Sequence, residues 1–498
     1  MKLTAGIDLG TSSTKVLIMD ETGNVLGTGN AAYGVRIPKI SWAEQDPEEW
    51  WSAVQTALGK AADTAGIRPA DIAGISFSGQ MHGLVALDKD KKPVCPAIIH
   101  LDQRAGALLE ELRETAGELM SGELLNQPFG GTMISSLYWI RKNDPSLLER
   151  ICYVMSPKDY IRFRLCGEIG TEVTDASATL GFSVKNRRWC SELFDRLGIP
   201  ADILPPVREC CDIAGTVSGE ASALTGLSRD AKVIFGAGDS LAAMTGIGVI
   251  EAGVMACNIG TASQLVAVTD KPLFDPLFRV QTWCHTRPGR WAVQSGSLNG
   301  GSTLGWLKNQ ILKSSEPFAA LDEEAGQVPA GSEGLIFLPY LSGERTPWNA
   351  PEAKGVYFGL SMKHTQAHMV RATMEGVVYN LRECLHIFDE MQFERKSLLS
   401  SGGGARGRTW RQIQADILNM PVQTTLTLEE AGQGAAILAA VGIGLYPDIP
   451  TACKGTVRMS SEVTEPIPEN VKRCEEQQKR FHELYLAVED KMAEDSEV

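Results

Sequence analysis

Hydrophobic positions along this chain follow two periods, one suited to strands and one to helices. Near the start, aliphatic and β-branched residues lead into Gly10-Thr11 and a largely apolar run, Lys15 to Met19, follows, which is the pattern of a hairpin. The pattern returns in the second half. Residues 7–20, IDLGTSSTKVLIMD, are matched by residues 257–270, CNIGTASQLVAVTD, with identities at Gly10/Gly260, Thr11/Thr261, Ser13/Ser263, Val16/Val266 and Asp20/Asp270. A strand-turn-strand unit repeated at domain-sized spacing predicts two domains of one design, residues 1–245 and 246–498.

Between the copies the helical period takes over. Residues 46–66, DPEEWWSAVQTALGKAADTAG, begin with an Asp-Pro cap signal, carry apolar residues at helical spacing and end on glycine, predicting an amphipathic helix. IAGISFSG reads as a short apolar strand leading into Gln80-Met81-His82-Gly83, and LVALD and PVCPAII flank a turn at residues 89–92. Residues 105–189 are richer in helix, and VIFGAG reads as a buried strand that runs into glycines and stops at Asp239. Residues 365–391 contain no proline and predict one long helix. A glycine turn at residues 402–404 precedes the helical TWRQIQADIL, and a stretch rich in Glu, Lys and Leu closes the chain as a helix with an acidic tail. Strand, helix and strand in this order predict an α/β chain with mixed sheets and functional residues at strand ends.

Composition narrows the classes of function. A chain of 498 residues, 43% hydrophobic, can bury two cores, and a net charge of −14 argues against general nucleic-acid or membrane-surface binding. With no basic-apolar leader and no apolar run approaching the ~20 residues of a span, the expectation is a cytoplasmic protein. Eleven cysteines, scattered apart from Cys210-Cys211 and lacking C-x-x-C, read as reduced thiols without a metal cluster.

The copies differ at one informative position, since Asp8 in the first is Asn258 in the second. A Gly-Thr-Ser turn gathers N–H groups and hydroxyls at one point, as anion sites do, and a single carboxylate beside it suits one Mg²⁺. Thr11, Ser12, Ser13 and Lys15 are therefore candidates for the terminal phosphates of ATP and Asp8 for the metal, although Lys15 also reads as a solvated strand charge. The chain has no G-x-x-x-x-G-K-[ST], so the usual P-loop is excluded. Asp239, after Gly236-Ala237-Gly238, is the candidate base for a hydroxyl attacking the γ-phosphorus. His82 and Gln80 suit polyol hydroxyls, and Asp102 with Arg104 could complete a sugar site, an exposed ion pair being the alternative. Gly403 and Gly404, together with Gly260-Thr261 and Gly301, form a candidate nucleotide half-site.

Two domains, each with such a hairpin, are the pattern of the sugar kinase, actin and heat-shock chaperone superfamily. Within it the chain resembles the FGGY carbohydrate kinases over nearly its whole length, most closely the xylulokinase branch, through GIDLGTSSTKV, SWAEQDPEEWW, SGQMHGLV, SPKDYIRFRLCGE, TDASAT, GAGDS, NIGTAS, LPYLSGERTPWNAPEAKGVYFGL and SGGGAR. The resemblance implies two ribonuclease H-like domains of the actin-like ATPase superfamily around a central cleft, with sugar mainly on the first and ATP on the second. It implies Asp239 as base, Met81 and His82 as ketose contacts, Asp8 with Thr11 as the Mg²⁺-phosphate turn, and Gly260, Thr261, Gly301, Gly403 and Gly404 as nucleotide contacts. D-xylulose is the leading substrate, and dimerisation is a family-level expectation. Departures from the branch fall at Ser240, where Asn usually follows the base, at His100-Leu101 in place of Trp-Asn, and at Ser135-Ser136. Such changes near hydroxyl contacts can move specificity to another ketose, a polyol or a sugar acid. The rivals are a non-catalytic sugar or nucleotide sensor and an actin-like or chaperone-like scaffold.

Overall fold

In the computed structural model, which describes residues 2–494, both copies of the repeat are antiparallel hairpins. The first joins β1 (Leu3–Leu9) to β2 (Ser13–Met19) and runs on into β3 (Val25–Ala32). The predicted apolar strand is β4 (Ile72–Gly79), parallel to β1, and beyond it lie an antiparallel edge β5 (Ile213–Thr216) and β6 (Lys232–Ile234). The order is β3-β2-β1-β4-β6-β5. The second hairpin, β7 (Val254–Ile259) with β8 (Ser263–Thr269), is joined by β9 (Gln281–Cys284), β10 (Trp291–Ser297), β11 (Ser397–Gly402), β12 (Val422–Thr425) and β13 (Met459–Thr464). Their order, β9-β10-β8-β7-β11-β12-β13, repeats the five-strand core of the first sheet in sequence and direction. The duplication visible in the two turns thus extends to the sheets. LVALD and PVCPAII fold back on each other across their turn, bridged at Leu84 with Ile98 and at Leu87 with Pro93, and Val85–Leu87 also pairs with Tyr153–Met155.

The strand read from Val233 to Gly238 is broken. β6 ends at Ile234, Gly236 takes φ +89°, and Ala237–Gly238 pairs afresh with the end of β4. Only glycine fits the break, since a Cβ there would lie 2.2 Å from the Phe77 carbonyl oxygen. This kink delivers Asp239 to the end of the sheet.

The helix predicted at 46–66 is α1 (Pro47–Ala65), where Asp46 accepts the Glu48 N–H at 3.0 Å and Gly66 closes the end at φ +66°. It lies on the first sheet with Trp50, Val54 and Leu58 buried. The short buried α2 (Val173–Ala178) and α3 (Asp239–Gly246) follow, then α4 (Gln366–Glu390), the predicted long helix. The second half ends with α5 (Arg408–Leu418), α6 (Glu430–Gly442) and α7 (Pro468–Glu494). The acidic tail at 495–498 lies outside the described residues. Among the described residues no helix is long and apolar enough to cross a membrane.

A boundary near 245 separates the sheets but not the packing. α6, from the second half, lies on the first sheet so closely that a Cβ on Gly6 of β1 would meet the Gly432 carbonyl oxygen at 2.0 Å. It also crosses α3 backbone to backbone, at Gly434 over Ala242 and Gly246 over Glu430, where added Cβ atoms would sit 1.8 and 1.9 Å from carbonyl oxygens. Gly434→Ala should force the helices apart, costing about 1–3 kcal/mol as overpacked cores do. A fall in Tm of several degrees is the expected result, and an unchanged Tm would mean that the crossing yields freely.

Candidate active site

β4 ends at Gly79 and the chain turns through Gln80, Met81 and His82, with His82 at φ +74°. Residues other than glycine are uncommon in this left-handed conformation, and here the side chain is held on several sides. His82 Nδ1–H donates to the Ala178 carbonyl at 2.7 Å, and the ring lies between Phe129 and Trp283. That bond leaves Nε2 as an acceptor. Burial, opposed by the Ala178 bond, pushes the imidazole down to about 4, so it is neutral at physiological pH.

Asp239 is the first residue of α3, and its Oδ1 accepts the Ser240 N–H at 2.7 Å. Burial, and secondly the charge of Asp8, push its carboxyl up to about 7. A carboxyl poised near ambient pH is suited to general-base work. Ser240 Oγ donates to Gln294 Oε1 at 3.1 Å, and Gln294 Nε2 donates to Gln264 Oε1 at 2.9 Å, a chain running from α3 through β10 to β8.

These groups enclose a chamber of about 170 Å³, lined by Met81, His82, His100, Asp239 and Ser240 from the first half and by Gln281, Trp283 and Gln294 from the second. With about 30 Å³ per water, it has room for roughly five or six waters, the scale of a small polyol rather than a nucleotide. Gln281, Trp283 and Gln294 were not singled out from the sequence. Gln281 and Trp283 share a face of β9 by alternation, but nothing local marks a strand glutamine as facing a ligand. His100, noted only as a departure, has a buried Nδ1 without a hydrogen-bond partner.

Other predicted contacts fall elsewhere. Gln80 is buried behind the turn, its amide donating to Gln45 Oε1 at 2.9 Å. Asp102 and Arg104 are neither exposed nor in the chamber. Arg104 donates to Asp102 at 2.8 to 2.9 Å and to Glu44 at 2.7 Å and stacks 3.7 Å over the Trp42 ring, while Asp102 accepts the Ala43 N–H. This closed ion network is part of the frame behind His100.

The first hairpin turn lies near Asp239. Asp8 Oδ1 accepts from Ser78 Oγ at 2.8 Å, and its carboxyl is raised by burial against the opposing effects of Ser78 and Lys15. At the equivalent place in the second sheet, Asn258 Nδ2 donates to Ser401 Oγ at 2.8 Å, and both pairs face each other across the register of parallel strands. The duplication therefore includes the serines, which the hairpin comparison did not reach. Thr11, Ser12 and Ser13 sit at the turn with their side chains unpartnered among the described residues, and the Thr11 carbonyl is tied back by Gln45. Lys15 is engaged across the halves, 2.9 Å from Glu429 at the start of α6 and partly exposed.

The second turn opens on a larger space of about 570 Å³, lined by Gly260, Thr261, Gly301, Ser302, Leu304, Phe318, Asp322, Gly403, Arg406 and Trp410. Four of the predicted nucleotide contacts meet here. Gly260 and Gly403 line the cleft, and a Cβ on either would make only ordinary contacts, the nearest atoms 3.5 and 3.6 Å away, whereas Gly301 is pinned against the Gly260 carbonyl. Gly404 lies behind the cleft, buried on Ile259, where a Cβ would come within 2.7 Å of the Ile259 Cβ; its glycine serves strand packing. A wide, partly apolar cleft beside two glycine turns can take a flat base and its phosphates.

The chain matches known proteins over nearly its whole length. Residues 3–246 match the N-terminal domain of the FGGY family of carbohydrate kinases and residues 255–443 its C-terminal domain. The chain is 35% identical to the xylulose kinase of Lactococcus lactis subsp. lactis over 97% of both chains. Among solved structures, the xylulose kinase of Rhodospirillum rubrum superposes with a TM-score of 0.91 at 29% identity, covering 99% of this chain and 100% of that one. The gluconate kinase of Lactobacillus acidophilus gives 0.92 at 26% identity over 99% of both.

Proposed function

Since the chain belongs to the FGGY family of carbohydrate kinases, we propose that it phosphorylates the primary hydroxyl of D-xylulose with ATP, giving D-xylulose 5-phosphate. The observation that carries this reading is a carboxyl poised near 7, Asp239, inside a chamber the size of a small sugar. Asp239 takes the proton of the attacking hydroxyl. The sugar oxygen bonds to the γ-phosphorus as the bond from that phosphorus to the β,γ-bridging oxygen breaks, and ADP leaves with the electron pair. His82 Nε2 accepts a hydrogen bond from a second sugar hydroxyl, and the bare backbones of Gly260 and Gly403 accommodate the nucleotide.

Mg²⁺ binds through one or two carboxylates plus substrate phosphates rather than an all-protein cage. Asp8, beside the unpartnered hydroxyls of the first turn, fits that need, and no cluster of three metal-binding side chains occurs among the described residues. When bound, the ion neutralises charge on the phosphates. Asp8 would hold it, and Thr11, Ser12 and Ser13 would meet the phosphoryl oxygens.

A second reading, a sugar acid such as gluconate, is favoured by Arg345. This residue is exposed, has no ionic partner among the described residues, and its charge helps to depress both His82 and His100. An ADP-release assay with Mg·ATP across D-xylulose, L-xylulose, D-ribulose, L-ribulose, D-fructose, glycerol, erythritol and gluconate decides. Dominant D-xylulose turnover supports the first reading, dominant gluconate turnover the second, and no stimulation by any of them removes both. His82→Ala should raise the KM for sugar about tenfold, the worth of one lost hydrogen bond of roughly 1.4 kcal/mol, with little change for ATP. Equal rises in both would place the role of His82 in the frame of the cleft.

A further inference from the structure

Two motifs, SPKDYIRFRLCGE at 156–168 and TDASAT at 174–179, contribute no lining to the chamber, yet they hold fully buried charges beneath it. Lys158 Nζ lies 3.0 Å from Asp159, 3.1 Å from Glu172 and 3.1 Å from Asp175. Burial disfavours the ammonium, but the three carboxylates outweigh it and keep Lys158 charged, while burial raises the Asp175 carboxyl well above the ordinary value. Buried ions are poor sources of stability, so their geometry invites another explanation.

That geometry converges on α2, every residue of which is buried. Glu172 caps it, accepting the Thr174 N–H at 2.6 Å and the Asp175 N–H at 3.0 Å. From α2, three bonds reach the walls of the chamber. The Ala178 carbonyl holds His82, Ser177 Oγ accepts the Cys284 N–H at 3.2 Å beside Trp283, and Thr174 Oγ1 accepts the Gly238 N–H at 2.8 Å. Thr174 Oγ1 in turn donates to Glu172 Oε1 at 2.8 Å, which directs its lone pair toward Gly238.

We propose that Thr174 is a positioning residue for phosphoryl transfer: its hydroxyl, oriented by Glu172 and Lys158, fixes the Gly238 amide and so aims the Asp239 carboxyl that follows. The inference rests on the sugar-kinase reading for its catalytic part. Its structural part does not need a substrate. Because effective catalysis requires near-attack geometry, a small release of this turn is costly, whereas the chamber and the nucleotide cleft stay intact.

The test compares Thr174→Val, which keeps the shape and removes the hydroxyl, with Thr174→Ser, which restores it. Hydrogen–deuterium exchange of the peptide spanning 235–241, without ligand, should speed up in the valine protein and not in the serine protein. With the sugar that the wild type turns over best, Thr174→Val should lower kcat about tenfold to a hundredfold, the effect of a buried donor left unpaired. It should leave the KM for ATP within about twofold, as a change confined to the base turn requires. The acid limb of its pH profile should move to lower pH as Asp239 becomes better solvated, and Thr174→Ser should return both values close to wild type. Wild-type exchange and kcat in the valine protein overturn the proposal, as does a serine protein as impaired as the valine one. If no sugar is turned over even by the wild type, the kinase reading fails, and the exchange comparison still decides whether Thr174 holds the turn.

Discussion

Replacing Asp239 with asparagine is expected to lower kcat by about 10³-fold while ATP and sugar binding remain measurable. Removing a positioned base costs 10²- to 10⁴-fold, and the amide keeps the size of the side chain. The wild-type rate should rise with pH through about 7 and then level, because the carboxylate is the active form, and the variant should lose that limb. Stability should change in the opposite sense. The folded carboxyl is raised from 3.8 to about 7, so the stability it contributes is fully present below the unfolded value and is lost progressively as pH rises to about 7. Above that pH the buried carboxylate is a burden, at most roughly 4 kcal/mol by 1.36 kcal/mol per unit. Asp239→Asn should therefore melt higher than wild type at pH 8 and no higher at pH 4. Matching melting profiles, or near-normal turnover, would remove Asp239 from the role of desolvated base.

The second large effect is expected at Asp8. Asp8→Asn copies into the first hairpin the residue that the second already carries at 258 and can keep the contact with Ser78. Loss of the carboxylate should lower kcat by about 10²-fold or more, the scale on which charge stabilisation acts in a closed site. More Mg²⁺ should be needed for half-maximal rate. An independent sign comes from titration: since the charge of Asp8 helps to raise Asp239, the acid limb of the residual activity should shift to lower pH. A variant with unchanged Mg²⁺ dependence and an unmoved acid limb would show that Asp8 does not face the reacting phosphates.

Much of this was legible in the chain because it is written locally. The two hairpins, α1 with its Asp46 and Gly66 caps, β4, α4 and the arrival of Asp239 after Gly238 all follow from periodicity and turn chemistry over fewer than thirty residues. Less legible was whatever depended on distant partners. Asp102-x-Arg104 looks like a surface pair, and its burial depends on Glu44 and Trp42 arriving from another segment. Gly403 and Gly404 are indistinguishable in sequence, yet one faces the cleft and its neighbour fills a gap on Ile259. VIFGAG has the hydrophobicity of one strand, but the kink that aims Asp239 arises from the nearness of Phe77 on β4. The glutamines that close the chamber come from β9 and β10, strands whose alternation tells which residues share a face but not what that face meets.

The glycine crossing of α3 and α6 has the geometry of an axle between the two sheets. Asp239 and Gly246 are the two ends of the same short helix, about 10 Å apart at 1.5 Å per residue. Any rocking of one sheet against the other about that contact moves Asp239 on a short lever arm, so a tilt of about 10° displaces it by only about 2 Å. Groups farther from the axle sweep through larger arcs in the same motion. In such a rocking motion the outer parts of the cleft would open while Asp239 hardly leaves its station.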